Sequence, residues 1–151
     1  MKNVMHGRGF VRRLLWASAL GLFLSGVLYA QTSDVIARNA WARVPLPSKM
    51  DAALYLVVEN HTSQRRAIVS VSCDSAAAAE MHQMQMVKMS MVMTPVSKVN
   101  LPARGKATFD PNGYHIMVYG LKVRPSPGDT IKVALKLDDG TTVPVEATFR
   151  K

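Results

Sequence analysis

The sequence predicts an all-β, Greek-key sandwich made by a single domain, and three observations carry that prediction. The chain has 151 residues, room for one ordinary core and not two. Beyond Trp41 no long segment has helical periodicity. Instead, short apolar-alternating runs are broken by Pro, Gly, Asn and Asp, about seven strands with a turn every eight to twelve residues. A small barrel is the alternative closure.

Residues 1–13 carry Lys2, Arg8, Arg12 and Arg13 and no acid, and the uncharged apolar run 14–30 follows. A basic start, a short apolar stretch and a small residue at its end read as a secretory signal peptide over residues 1–30, which leaves a mature domain over 31–151. An uncleaved anchor is the competing reading, although a run of this length falls short of the roughly 20 residues a span needs.

Residues 54–59 (LYLVVE) are rich in β-formers and end at a polar turn, residues 60–63. Residues 67–72 form the next strand, and the alanine-rich residues 75–80 a helical turn or a loop. Further on, Pro111-Asn112-Gly113 is a turn that opens a strand over residues 114–119. The end of the chain is the clearest hairpin. Ile131, Val133, Leu135 and Leu137 alternate with polar residues, Asp138-Asp139-Gly140 reverses the chain, and Val143, Val145, Ala147 and Phe149 alternate on the return. Pro144, on an outward position, places that return strand at or near an edge.

Charge and composition then exclude function classes. The formal charge is +9, and without Lys2, Arg8, Arg12 and Arg13 it falls to +5, scattered along the chain. That suits solubility or an acidic partner and not nucleic acid, since no basic run interleaves with aromatics. The single cysteine, Cys73, rules out an intrachain disulfide, a four-cysteine zinc site and a thiolate-held iron–sulfur cluster, and it reads as a buried residue at a strand end. No phosphate loop, nucleophile elbow or His-Glu-x-x-His pair is present, and no two acids stand out as a catalytic pair, so the chain is not read as an enzyme.

Methionine is the unusual component. Six of ten fall between positions 81 and 93, in the tract EMHQMQMVKMSMVMT. Methionine ordinarily fills gaps in a core, but so many together would specify a core poorly. Thioether sulfur is also a soft ligand that selects Cu(I), and imidazole suits copper. A β-hairpin centred on Val87-Lys88, with a four-residue loop over 86–89, sets Met86 against Met89, Met84 against Met91 and His82 against Met93. All six then lie on one face, with opposed Cβ atoms about 4.5–5.5 Å apart. His115 and Met117, two apart on the next strand, also share a face.

The joint spacing is the strongest signal. His82, ten residues, Met93, twenty-one residues, then His115-x-Met117 resembles the H-x10-M-x21-H-x-M signature of the periplasmic copper chaperones called PCuAC. Ala40-Trp41-Ala42-Arg43, Tyr55, Asn60, Glu80 and Gly120-Leu121 look like that family too, so the resemblance covers about residues 38–150. It implies a cupredoxin-like β-sandwich in the periplasm that holds Cu(I) with His82, Met93, His115 and Met117, at an exposed strand-end site at one end of the sandwich. It also implies delivery to the CuA centre of cytochrome c oxidase in concert with a Sco-type thiol protein, with no nucleic acid and, after signal cleavage, no membrane. Met84, Met86, Met89 and Met91 exceed the signature, and three readings stay open for them: auxiliary soft sites, a docking surface, or an exposed apolar patch. His61 and His6 are bystanders.

Two other functions compete with the chaperone. A cupredoxin-like electron carrier would need a thiolate with two histidines and a weak methionine, and Cys73 lacks a histidine shortly downstream. A periplasmic buffer for copper tolerance would need the same site as the chaperone.

Overall fold

Period-2 alternation of apolar side chains is what builds this molecule. The computed structural model describes residues 34–151, so the signal peptide expected over 1–30 and the domain start at 31 lie outside the described residues. The strands run β1 (Val35–Arg43), β2 (Ala52–Asn60), β3 (Arg66–Ser72), β4 (Ala78–Val87), β5 (Ser90–Pro95), β6 (Val99–Leu101), β7 (Lys106–Phe109), β8 (Tyr114–Tyr119), β9 (Thr130–Leu137) and β10 (Thr142–Arg150). They pair in the order β5-β4-β8-β7-β2-β1-β10-β9-β3-β6. The parallel β1–β10 pair joins the two halves, which fold onto one another as the layers of a sandwich, with β3 against β4 and β6 against β7.

The core is a single cluster, including Leu54, Leu56 and Val58 of β2, Ile68 of β3, Ile116 and Val118 of β8, Leu135 of β9 and Phe149 of β10. Each large side chain there stabilises the fold by about 1.5–3 kcal/mol relative to exposure. The terminal hairpin is as read: Ile131, Val133, Leu135 and Leu137 face Val143, Val145, Ala147 and Phe149 across the core side, and Gly140 takes the positive φ (+86°) that the turn requires.

Four expectations need correction. Ten strands form where about seven were expected, because β6 and β7 are only three and four residues long, too short to show a period, and β1 carries a bulge between Arg38 and Trp41, with Asn39 at φ +53°. Residues 75–80 are not one unit: the chain turns through residue 77 and enters β4 at Ala78, because its Ala side chains are small enough to lie beside β8. Strand β10 is interior to the sheet, yet β1 covers only its Trp41, Ala42 and Arg43 partners at the far end. Pro144 is therefore laddered to Ala134 of β9 alone, and its missing N–H costs nothing there. Cys73 is half-buried in the turn after β3.

One buried polar residue fixes a corner of the sandwich. Asn60 donates to the carbonyls of Gln64 and Pro102 and accepts from the Thr62 amide and hydroxyl, so all of its capacity is used inside the protein.

Candidate metal centre

The tract between Met81 and Met93 folds as the hairpin β4–β5, in a register two residues away from the expected one. His82 lies opposite Pro95, Met84 opposite Met93, Met86 opposite Met91 and Val87 opposite Ser90. The turn is the two-residue pair Lys88-Met89, both in the left-handed region at φ +46° and +65°. A four-residue loop was expected because Val87-Lys88, the centre of the expected hairpin, suits a tight primed turn poorly. The primed turn forms because its twist matches that of the strands, and it adds one more ladder pair. A shift of two keeps every β4 and β5 side chain on its expected face, but Met89 leaves the face for the tip.

On the other flank β4 is zipped to β8, with His82 directly opposite His115 and Glu80 opposite Met117. Ile116 and Val118 of β8 and Met81 of β4 point into the core, so period-2 alternation sends His82, His115 and Met117 to the opposite face. A row therefore crosses four strands there: His82 on β4, His115 on β8, then Tyr55 on β2 and Trp41 on β1. Successive rings along it lie 5.9, 6.5 and 4.5 Å apart by centroid.

An exposed strand-end site was expected for the histidines. Instead both are withdrawn from water, at 5% and 4% exposure, because the hairpin and Tyr119 close over them. Burial holds His115 below the ordinary histidine pKa, helped by the nearby His82 and opposed by the hydrogen bond to the Gly113 carbonyl.

The nitrogens are sorted by their partners. His115 Nδ1 donates to the Gly113 carbonyl at 3.3 Å, which leaves Nε2 with a free lone pair, and Met93 Sδ lies 3.1 Å from it. Met93 stands on β5, beyond β4, so its side chain crosses β4 to reach β8. His82 Nε2 donates to Glu80 Oε2 at 3.1 Å, with the Tyr119 hydroxyl 3.3 Å away. His82 Nδ1 is buried and has no hydrogen-bond partner in the protein. A buried nitrogen without a partner is costly unless a further ligand meets it. Carboxylate or carbonyl on one ring nitrogen and a free lone pair on the other is how metal-binding histidines are oriented.

Three of the four expected ligands thus converge: His82, His115 and Met93. Met117 is on the same face one row along, between Glu80 of β4 and Ala53 of β2. Glu80 was noticed in the sequence only as neighbouring text, and Tyr119 as a strand end. Both are traceable there, since Glu80 and Tyr119 alternate in step with His82 and with His115 and Met117.

Cys73 takes no part. Its surroundings are Ser75, Asp74 and Lys122, and burial pushes its thiol above the ordinary value. Among the described residues no three His, Cys, Asp or Glu side chains gather to hold a harder ion.

Known proteins resemble this arrangement at several levels. The sequence model of the LpqE-like lipoprotein family matches residues 35–149. Lxx21020 of Leifsonia xyli subsp. xyli, described as a lipoprotein, is 30% identical over 116 residues, spanning 76% of this chain and 69% of its own. The solution structure of apo-DR1885 from Deinococcus radiodurans aligns over 100% of this chain and 97% of its own, with 26% identity and a TM-score of 0.62. The Cu(I) form of DR1885 aligns over 74% and 75%, with 31% identity and a TM-score of 0.56. The copper-bound PCuAC domain of PmoF2 shares the fold, with a TM-score of 0.64 over 78% of this chain and 92% of its own at 18% identity.

Proposed function

Because the chain belongs to the LpqE-like family and has the PCuAC fold, we propose that it is a Cu(I) carrier acting outside the cytoplasm, with His82, Met93, His115 and Met117 as ligands. The observation that supports this most directly is the pair of buried imidazoles whose free nitrogens face a thioether or nothing: His115 Nε2 with Met93 Sδ at 3.1 Å, and the unpartnered His82 Nδ1. Cu(I) is named in the structure of the relative DR1885 that is 31% identical to this chain.

The chemistry is capture and release, with no bond made or broken in a substrate other than those to the ion. Two neutral imidazoles and two thioethers add no charge, and sulfur needs no deprotonation to bind. The imidazoles are held by Gly113 and Glu80, which keeps them in place with the ion or without it. Met93 is different: it is 44% exposed and sits on the edge strand β5. A recipient's ligand can approach from that side, form its bond to copper as the Met93 bond breaks, and draw the ion away from the histidines.

The recipient in this reading is the CuA domain of cytochrome c oxidase, with a Sco-type thiol protein as co-worker. A blue-copper electron carrier would need a thiolate at the site, and the one thiol lies among Ser75, Asp74 and Lys122. To test the reading, the domain is titrated with Cu(I) against a competing chelator and the loaded form is mixed with a CuA-domain apoprotein. One tightly held Cu(I), weak Zn(II) binding and transfer to the apoprotein are expected. Zinc displacing Cu(I) would end the soft-site reading, and tight Cu(I) that never transfers would make the protein a buffer.

A further inference from the structure

We infer that the outer half of the β4–β5 hairpin is a second binding site for a soft monovalent ion, Cu(I) or its analogue Ag(I), formed by the thioethers of Met84, Met86 and Met91. The inference rests on the Cu(I) reading of the histidine site only for the identity of the natural ion. Its geometry is independent of that site.

The register brings these sulfurs together. Met86 lies directly opposite Met91, and Met84 is one row inward on the same face, opposite Met93. Directly opposed Cβ atoms are about 4.5–5.5 Å apart and diagonal ones about 7–8 Å, and a methionine's three-bond side chain spans either. Three thioethers can therefore close on one ion above the ladder.

Packing does not explain Met86 and Met91. Met86 is 66% exposed and Met91 48%, and neither belongs to the core cluster, whereas Met81 on the other face of the same strand is 4% exposed and within it. An exposed methionine forgoes most of the burial energy of an apolar side chain. The tract offers soft sulfur and no anion: Lys88 is the only charged residue between Met81 and Met93, and the Gln83 and Gln85 amides bond to each other on the opposite face. With no carboxylate or thiolate at hand, such a set favours a soft monovalent ion over zinc or calcium. The outer set also adjoins the histidine site, because Met93 is at once the ladder partner of Met84 and the neighbour of His115.

The test is stoichiometry and its response to substitution in the full chain. Cu(I), kept reduced, is titrated against chelators of graded strength, and Ag(I) is titrated with methyl-labelled methionine followed by NMR. Two equivalents are expected, the second at least tenfold weaker than the first, and the second equivalent of Ag(I) should move the methyl signals of Met84, Met86 and Met91. Substitution of all three by leucine keeps volume and removes sulfur; it should abolish the second equivalent and leave the first unchanged. His82→Ala with His115→Ala should abolish the tight equivalent and keep the weak one. Cys73→Ser should change neither. A wild-type chain that takes up one ion only, a second equivalent that survives the triple leucine variant, or one that disappears with Cys73→Ser would overturn the inference. If instead the weak, methionine-dependent equivalent binds and the tight one does not, the carrier reading fails and the hairpin site stands.

Discussion

Residues 78–83 of β4 are paired on β8, whereas residues 84–87 are paired on β5 alone. Both stretches contain Met and Gln, yet the first holds the two buried groups His82 and Met81 and the second carries the exposed sulfur of Met86. The second neighbour makes the difference. Between β8 and β5 a side chain of β4 is desolvated on both flanks, its hydrogen bonds are fixed, and an unpartnered nitrogen such as His82 Nδ1 becomes costly enough to favour a metal. Past Gln83 the strand has lost β8, and the thioethers are free to adapt. The inner half is suited to holding an ion in one geometry, the outer half to meeting one.

The strongest way to break that contrast is to remove both imidazoles. His82→Ala with His115→Ala should lower the affinity of the tight site on the order of a thousandfold, since outer-shell partners of metal ligands alone are worth about 10–100-fold. Apo stability should fall by much less than binding does, because the space left by the two buried rings is offset in part by removal of the unpartnered His82 Nδ1. A competition titration and a urea melt of the same variant read the two quantities separately. A loss below tenfold would mean that the histidines are not the main ligands.

Next come two methionines a few residues apart. Met81→Ala should destabilise the fold by about 2–5 kcal/mol, the usual effect of emptying a buried site, and leave Cu(I) affinity almost unchanged. Met93→Leu should do the reverse, with a tenfold or greater loss of affinity and less than about 1.5 kcal/mol of destabilisation. If Met93→Leu unfolds the domain and Met81→Ala does not, the division of faces drawn here is mistaken.

Which methionine does which job was only partly legible in the sequence. Period 2 is a local property, so the face shared by His82, Met84, Met86, Met91 and Met93 could be read directly and held when the register moved by two. The register itself depended on whether Lys88-Met89 would accept left-handed backbone, and local preference argued against it; ladder pairing and strand twist prevailed. Burial of the histidines was not legible at all, because it arises where β8 returns from thirty residues away to lie against β4. The long spacing between Met93 and His115 could be matched to a family, but it could not by itself show that Met93 crosses a strand to reach His115. Strand β1 was missed for a related reason: its alternation is interrupted by the bulge at Asn39, and only pairing with β2 and β10 keeps it extended.

The inner half should also answer to pH in a way the outer half does not. His115 is held below the ordinary histidine pKa by burial, so the native state favours the neutral ring. The sign follows: its contribution to apo stability is present above about pH 6.5, where the unfolded ring is neutral too, and is lost as pH falls through the lower native value. Cu(I) binding at His115 likewise meets no proton near pH 7. Affinity of the tight site should hold from pH 7.5 to about 6.5 and then weaken toward pH 5, by up to tenfold per unit for each histidine protonated. The double-alanine variant should keep only a thioether-dependent affinity that is nearly flat over the range. Chelator competition at several pH values, corrected for the chelator's own protons, measures both. A flat profile in the unmodified protein would remove the histidines from the site.

The smallest effect is expected at the tip, and it sharpens the comparison most. Lys88 and Met89 occupy the two central positions of a primed turn, where Asn-Gly is the favoured pair because both backbones must be left-handed. Lys88→Asn with Met89→Gly should therefore relieve strain and raise apo stability by roughly 1 kcal/mol, the low end of the strain held at such positions. Met89 is 95% exposed and off the ligand face, so neither equivalent of bound ion should change by more than about twofold. The tip is then a strained connector whose sequence can be improved without touching either metal set. Thermal melts and Cu(I) titrations of the one variant decide the matter. A drop in stability would show that Lys88 or Met89 makes a contact that offsets its backbone cost. Loss of the weak equivalent alone would draw Met89 into the outer site, and its exposure at the tip would then be where an incoming ion first meets sulfur.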